Sequence, residues 1–170
     1  MKELTHDDLV KIAKHWLWKN CVVVVTEMKL PSREGEVVDA IGWDYGGWSI
    51  VIECKITRAD FLREKRKRHH KEKEGGMGSK KYFLMPKGLI TTDELPTGWG
   101  LLECIDRKRT PKIIRYPLLK EDINLGREIL LLISCLRRIG GLRDGISVKC
   151  YQFHSKNRAT LGINKKEEKR

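Results

Sequence analysis

Leu9, Ile12, Ala13, Trp16 and Leu17 recur at the three- and four-residue spacing of one buried helical face. Thr5-His6-Asp7-Asp8 ahead of them has the composition of a helix start, so the chain is expected to open with a helix that ends near Lys19-Asn20. The period then changes. Cys21-Val22-Val23-Val24-Val25-Thr26-Glu27-Met28 is β-branched almost throughout and predicts a first strand. Pro31-Ser32-Arg33-Glu34-Gly35 reads as the loop that returns it to a second, Val37-Val38-Asp39-Ala40-Ile41-Gly42-Trp43. Asp44-Tyr45-Gly46-Gly47 has the Gly-rich chemistry of a hairpin turn, and Trp48 to Ile56 follows as a third strand, apolar enough to be largely buried.

Thr57 with Asp60 predicts a capped helix running to about His70, with Ala59, Phe61 and Leu62 as its apolar contacts. Glu74-Gly75-Gly76-Met77-Gly78-Ser79 is a connector. Lys80 to Met85, stopped by Pro86, and Trp99 to Asp106 read as further strands, and Lys112 to Tyr116 as an added edge strand. A strand reached through a crossover helix runs parallel to the strand before it, so the expected sheet is mixed. A long helix is expected from about Glu121 to Ile139. Its Ile129, Leu130, Leu132, Ile133 and Leu136 cover more than a narrow stripe, which favours packing on the sheet over packing on a second copy. The expected organisation is one α/β domain over 1–140, helix 121–139 included. A basic extension over 141–170 follows; its last residues, 164–170, are expected to be disordered, and Lys156 to Arg158 either touch nucleic acid or solubilise the chain.

At 170 residues the chain can bury a core without disulfides or metal. Cys21, Cys54, Cys104, Cys135 and Cys150 are scattered, odd in number and without Cys-x-x-Cys spacing, which argues for reduced thiols and against a zinc site. The charged opening does not resemble a secretory signal, and the apolar stretch from Ile129 to Leu136 is far short of the roughly 20 residues that span a bilayer. A cytoplasmic location and no membrane partner are therefore expected. Charge adds a positive expectation. The formal net charge is +12, and much of it lies in Arg58, Arg63, Lys65, Arg66, Lys67, Arg68, Lys71 and Lys73, joined by His69 and His70. Only Glu64 interrupts the run between Arg63 and Lys71, so ion pairs within the helix do not account for it. Such a cluster neutralises phosphates and releases counterions, the sequence-independent part of nucleic-acid affinity.

The chemistry lies between the second and third strands. Alternate residues of a strand share a face, so Glu53 and Lys55 point the same way, and antiparallel pairing brings Asp39 to them. By themselves three such charges could form a surface ion-pair cluster of small value. Half-buried carboxylates in close approach, however, repel until a cation sits between them. Mg²⁺ commonly takes one or two protein carboxylates and keeps positions for water and phosphate oxygens. Asp39 and Glu53 would hold it, while Lys55 would orient or help deprotonate the attacking water and offset charge on the phosphate. Glu36 and Glu27 are candidates for a second metal. The apolar face of the first helix offers no acid for one, so a single metal is the better-supported expectation. Trp43, Trp48 and Trp99 could stack on bases but are expected in the core.

Asp39 followed by Glu53-Cys54-Lys55 resembles the PD-(D/E)xK nuclease superfamily. The continuation Ile56-Thr57-Arg58-Ala59-Asp60-Phe61, the basic helix and Lys81-Tyr82-Phe83-Leu84-Met85-Pro86 are similar to the small MmcB-like DNA-repair nucleases of bacteria and phages, over roughly residues 36 to 106. Val38 stands where the superfamily motif has Pro. The resemblance implies a restriction-endonuclease-like αβββαβ core with a mixed central sheet, Mg²⁺ dependence with Mn²⁺ as substitute, and a nucleic-acid substrate, DNA first, in repair, recombination or phage defence. It also implies that the Cys54 backbone carbonyl ligates the metal. A homodimer would provide the two sites that cutting both strands requires. The alternative is a catalytically inactive nucleic-acid-binding or regulatory module on the same fold.

Overall fold

The computed structural model describes residues 4–29, 37–66, 76–105 and 110–139. Helix α1, His6–Leu17, starts at a reciprocal cap: the Thr5 hydroxyl accepts from the Asp8 N–H (3.2 Å) while the Thr5 N–H donates to the Asp8 carboxylate (3.0 Å). Every apolar position expected on its inner face is buried. Strands β1 (Val23–Lys29), β2 (Val37–Trp43) and β3 (Ser49–Cys54) form an antiparallel meander. The hairpin between β2 and β3 is closed by Asp44, whose Oδ1 accepts from the N–H groups of Gly46 and Trp48, and Gly47 supplies the left-handed residue (φ 79°).

Helix α2, Arg58–Lys65, is capped at Thr57, whose hydroxyl accepts from the Asp60 N–H at 3.1 Å. The part of the basic helix expected beyond residue 66 lies outside the described residues. Strand β4 (Lys80–Pro86) then runs parallel to β3, as the crossover rule requires. β5 (Gly100–Cys104) is also parallel to β4, although only a loop with one 3-10 turn at Thr92–Glu94 connects them. β6 (Lys112–Arg115) closes the sheet antiparallel to β5. The result is a six-stranded mixed sheet in the order β1-β2-β3-β4-β5-β6, flanked by helices and followed by the C-terminal helix α3, Leu125–Ile139. This is an α/β fold, and α1-β1-β2-β3-α2-β4 reproduces the expected αβββαβ order.

Several boundaries differ from expectation, among them the starts of β1 and α3. β1 begins at Val23, two residues after Cys21, and α3 begins at Leu125, four residues after Glu121. The second shift has a cause in the backbone. Leu118 and Lys120 donate to the Gly98 and Ser79 carbonyls at 3.0 and 2.8 Å, which fixes this segment against the sheet, and the Asn124 side chain caps Arg127.

The core lies on both sides of the sheet, and every residue of β3 is buried, as its near-continuous apolar sequence predicts. On one side α1 covers Ala40, Ile50, Ile52, Cys54, Tyr82, Leu84 and Leu102. On the other, Phe61 of α2 packs edge-to-face on Phe83 (5.1 Å), which stacks on Trp99 at 4.4 Å. Leu131 of α3 joins Ile41, Trp43 and Val51. No helix among the described residues is long and apolar enough to cross a membrane.

Candidate active site

Alternation along β3 sends Ile50, Ile52 and Cys54 toward α1 and Val51 to the opposite side, where Glu53 follows it. One step beyond the Ala40–Ile52 pair, the antiparallel register sets Asp39 opposite Glu53. The Asp39 Oδ2 accepts the Cys54 N–H at 2.8 Å, and the Lys55 N–H donates to the Leu84 carbonyl at 3.0 Å, so the main chain itself holds the site. The Lys55 ammonium lies 3.0 Å from Glu53 Oε2, 3.6 Å from Asp39 Oδ2 and 3.4 Å from Glu64 Oε2. Asp39, Glu53 and Lys55, expected together from their spacing, are therefore brought together. None of the four side chains is more than 14% exposed.

Two members of the group were not expected. Glu64, which in sequence only interrupts a basic run, is buried. The signal for it was its position three residues after Phe61, which places both on the sheet-facing side of α2. His6, the first residue of α1, puts its Nε2 3.6 Å from Asp39 Oδ1, so the first helix contributes a side chain to the site although it contributes no acid there. That contact depends on where α1 docks, which its own periodicity does not encode.

Electrostatics follow from burial. Desolvation is the largest influence on Glu53 and raises its pKa to about 7, against the attraction of Lys55 and with repulsion from Asp39 and Glu64. Burial alone would lower Lys55, but Glu53, Asp39 and Glu64 outweigh it and hold the ammonium well above its ordinary range. Lys55 is thus a fixed cation at neutral pH. In that state it donates hydrogen bonds, to a water or to a phosphate oxygen. Three carboxylates facing one ammonium leave the site with excess negative charge, which a divalent cation would offset.

Among the described residues, no group of three or more His, Cys, Asp or Glu side chains is placed to hold a metal ion. The donor set fits a cation that asks less of the protein: Asp39 and Glu53 offer hard carboxylate oxygens, and Mg²⁺ commonly takes one or two. Cys54 could contribute only its carbonyl. Its thiol is buried in the α1 side of the core, and desolvation pushes its pKa well up. Glu27 falls opposite Asp39 by register, between the Thr26–Ala40 and Met28–Val38 pairs, and has the left-handed backbone (φ 52°) that a non-glycine residue rarely adopts. Its side chain is exposed and makes no hydrogen bond or ion pair among the described residues. Glu36 lies outside the described residues.

The basic run is less free than its sequence suggests. Arg58 forms a two-pronged pair with Glu94, at 2.5 and 2.8 Å, and Lys65 donates to the Glu94 carbonyl at 2.6 Å. Arg63 pairs with Asp60 one turn earlier, and Arg66 is exposed at the helix end. Ion pairing, within the helix and from the 3-10 turn, thus engages side chains that the sequence left unpartnered. Lys67, Arg68, Lys71, Lys73, His69 and His70 lie outside the described residues. Trp43 and Trp99 are buried, as expected, but Trp48 is 41% exposed beside the hairpin.

No protein-family model matches the chain, and no curated protein matches it. Among solved structures the chain is similar to a protein of unknown function from Silicibacter pomeroyi. The two are 25% identical, with a TM-score of 0.62, over 85% of this chain and 94% of that one.

Proposed function

We propose that this protein is a metal-dependent nuclease that hydrolyses phosphodiester bonds of nucleic acid, DNA first, using Mg²⁺ or in its place Mn²⁺, in a repair, recombination or phage-defence setting. The observation that carries this reading is the convergence of Asp39, Glu53 and Lys55 at the end of β3, with Glu64 against the same ammonium. A divalent cation held by Asp39 and Glu53 would polarise a phosphate oxygen and acidify a bound water. The remaining work belongs to the chain. Lys55 donates to the attacking water or to a phosphate oxygen and offsets the charge that develops there. Glu64 keeps that ammonium anchored when Glu53 turns to a cation. Arg63 and Arg66, with Lys67, Arg68, Lys71 and Lys73, would grip the phosphates flanking the cut, whereas Arg58 and Lys65 fix α2 to the Thr92–Glu94 turn. A cytoplasmic place of work goes with this reading, since Cys21, Cys54, Cys104 and Cys135 are free thiols.

The test is cleavage of supercoiled, linear and single-stranded DNA with Mg²⁺ or Mn²⁺. Asp39→Ala, Glu53→Ala and Lys55→Ala should each lose about 100-fold or more in rate, the scale on which removal of one preorganised charge-stabilising group acts. Cleavage unaffected by all of them would overturn the assignment. A second reading has its own observation: Lys55 already fills the space between the carboxylates, as it would in a module that binds nucleic acid without cutting. Salt-sensitive binding without cleavage in either metal would favour that module.

A further inference from the structure

Trp48 is 41% exposed and Tyr116 73%, and neither belongs to the site at the end of β3. Ile50 and Ile52 face α1, so alternation carries Trp48, two residues before Ile50, to that same side of the sheet. Lys80 pairs with Ile50 across β3 and β4, and Tyr82 with Gly100 across β4 and β5. Leu101 pairs with Arg115, which brings Tyr116 beside Gly100, close enough to Tyr82 to raise that phenol's pKa. Gly100 keeps the strip flat, because a Cβ there would lie 2.6 Å from the Tyr82 ring. Helix α1 reaches as far as Tyr82, on which Trp16 packs edge-to-face at 5.4 Å, and leaves Trp48 and Tyr116 open on either side. Lysines stand between the two rings. Lys80 starts β4, and Lys120 donates its N–H to the Ser79 carbonyl at 2.8 Å and runs its side chain past Gly98. Asp44, the acid of the neighbouring hairpin, has its Oδ1 engaged by the Gly46 and Trp48 N–H groups.

We propose that this strip binds single-stranded nucleic acid, with unpaired bases stacked on Trp48 and Tyr116 and phosphates on Lys80 and Lys120. An apolar peptide would bury these ammonium groups without partners, and a closed duplex hides the faces of its bases. A single strand offers both base faces and phosphates, and the chain's net charge of +12 attracts it. The rings stand three strands apart, roughly 14 Å across the sheet. That is the length of about four stacked nucleotides at roughly 3.4 Å each. Glu53 faces the other side of the sheet and lies roughly 17 Å along β3 from Trp48. A strand is held here whether or not it is cut, so the strip stands or falls independently of the nuclease reading.

Fluorescence anisotropy of a labelled oligothymidylate, with the full chain in EDTA so that no cutting intervenes, tests it. Trp48→Leu and Tyr116→Ala should each weaken binding about tenfold, the scale of one lost stacked base, while affinity for a blunt duplex and melting temperature hold. Trp48→Phe should keep the affinity, because it keeps an aromatic face. Lys80→Ala and Lys120→Ala should each lower the slope of log affinity against log salt by about 0.7. A wild-type chain that does not bind the oligothymidylate would overturn the proposal. So would single-strand affinity unchanged in both aromatic variants, or a loss that is equal on duplex and single strand. If Trp48→Leu lowers the melting temperature, Tyr116→Ala decides, since that ring is the more exposed of the two. Absence of cleavage by the wild type in Mg²⁺ or Mn²⁺ would sink the nuclease reading alone and leave this binding result standing.

Discussion

Glu53 shows how one residue couples the candidate site to stability. An acid whose pKa is raised on folding binds its proton in the native chain where the unfolded chain has lost it, so stability declines as pH rises between the two values. For Glu53 that window runs from about 4.5 to about 7. At about 1.4 kcal/mol per pKa unit the decline is on the order of 3 kcal/mol. Denaturant titrations in a chelator should show stability falling across this window, and Glu53→Gln should flatten the profile. Mg²⁺ or Mn²⁺ should restore more stability at pH 8 than at pH 5, because a cation relieves the repulsion only when the carboxylate is charged. The residues behind this behaviour were legible to different degrees. Glu53, Lys55 and Asp39 could be read from strand period and hairpin chemistry, which are local. Glu64 and His6 could not, because their places depend on how two helices dock on a sheet.

Among the elements, the meander, the capped α2 and the parallel crossover followed from periodicity and caps, because each signal lies within a dozen residues. The link between β4 and β5 was less legible. Two parallel strands usually need a crossover helix, and here a loop with one 3-10 turn serves instead, tied down by Arg58, Lys65 and Arg115. α3 depends on an interaction with no sequence signature. Its Glu128, 1% exposed, accepts from Trp43 Nε1 (2.8 Å), Ser49 Oγ (2.7 Å) and the Gly78 N–H (2.8 Å). Gly78 is left-handed (φ 96°), and a Cβ there would strike Val51, so glycine allows the third bond. Glu128→Ala would strand three donors in the interior and should destabilise the protein by about 3 kcal/mol or more. Chemical denaturation measures the loss, and a double-mutant cycle with Trp43→Phe should return a coupling of about 1 kcal/mol or more, since the two side chains touch.

At the scale of the whole molecule, net charge and local pairing make separate predictions for nucleic-acid binding. A net charge of +12 predicts affinity that falls steeply with salt, but counterion release counts only the cations that reach phosphates. Arg63 is 78% exposed and its pair with Asp60 is a surface one, worth at most about 1 kcal/mol, so a phosphate can take its place. Arg66 is exposed at the end of the same helix. Arg58 differs. Its two-pronged bond to Glu94 persists at neutral pH, because Arg58 and the Thr91 N–H hold the Glu94 pKa down at about 2. Removing Arg63 and Arg66 together should weaken DNA binding for every sequence alike and reduce the slope of log affinity against log salt by about two, at roughly 0.9 per lost phosphate contact. Arg58→Ala should leave that slope unchanged. Fluorescence anisotropy with duplex DNA across a salt series separates the two. An unchanged slope in the double variant would move the phosphate grip off α2 altogether, while a reduced slope in Arg58→Ala would mean that Glu94 yields its partner when DNA arrives.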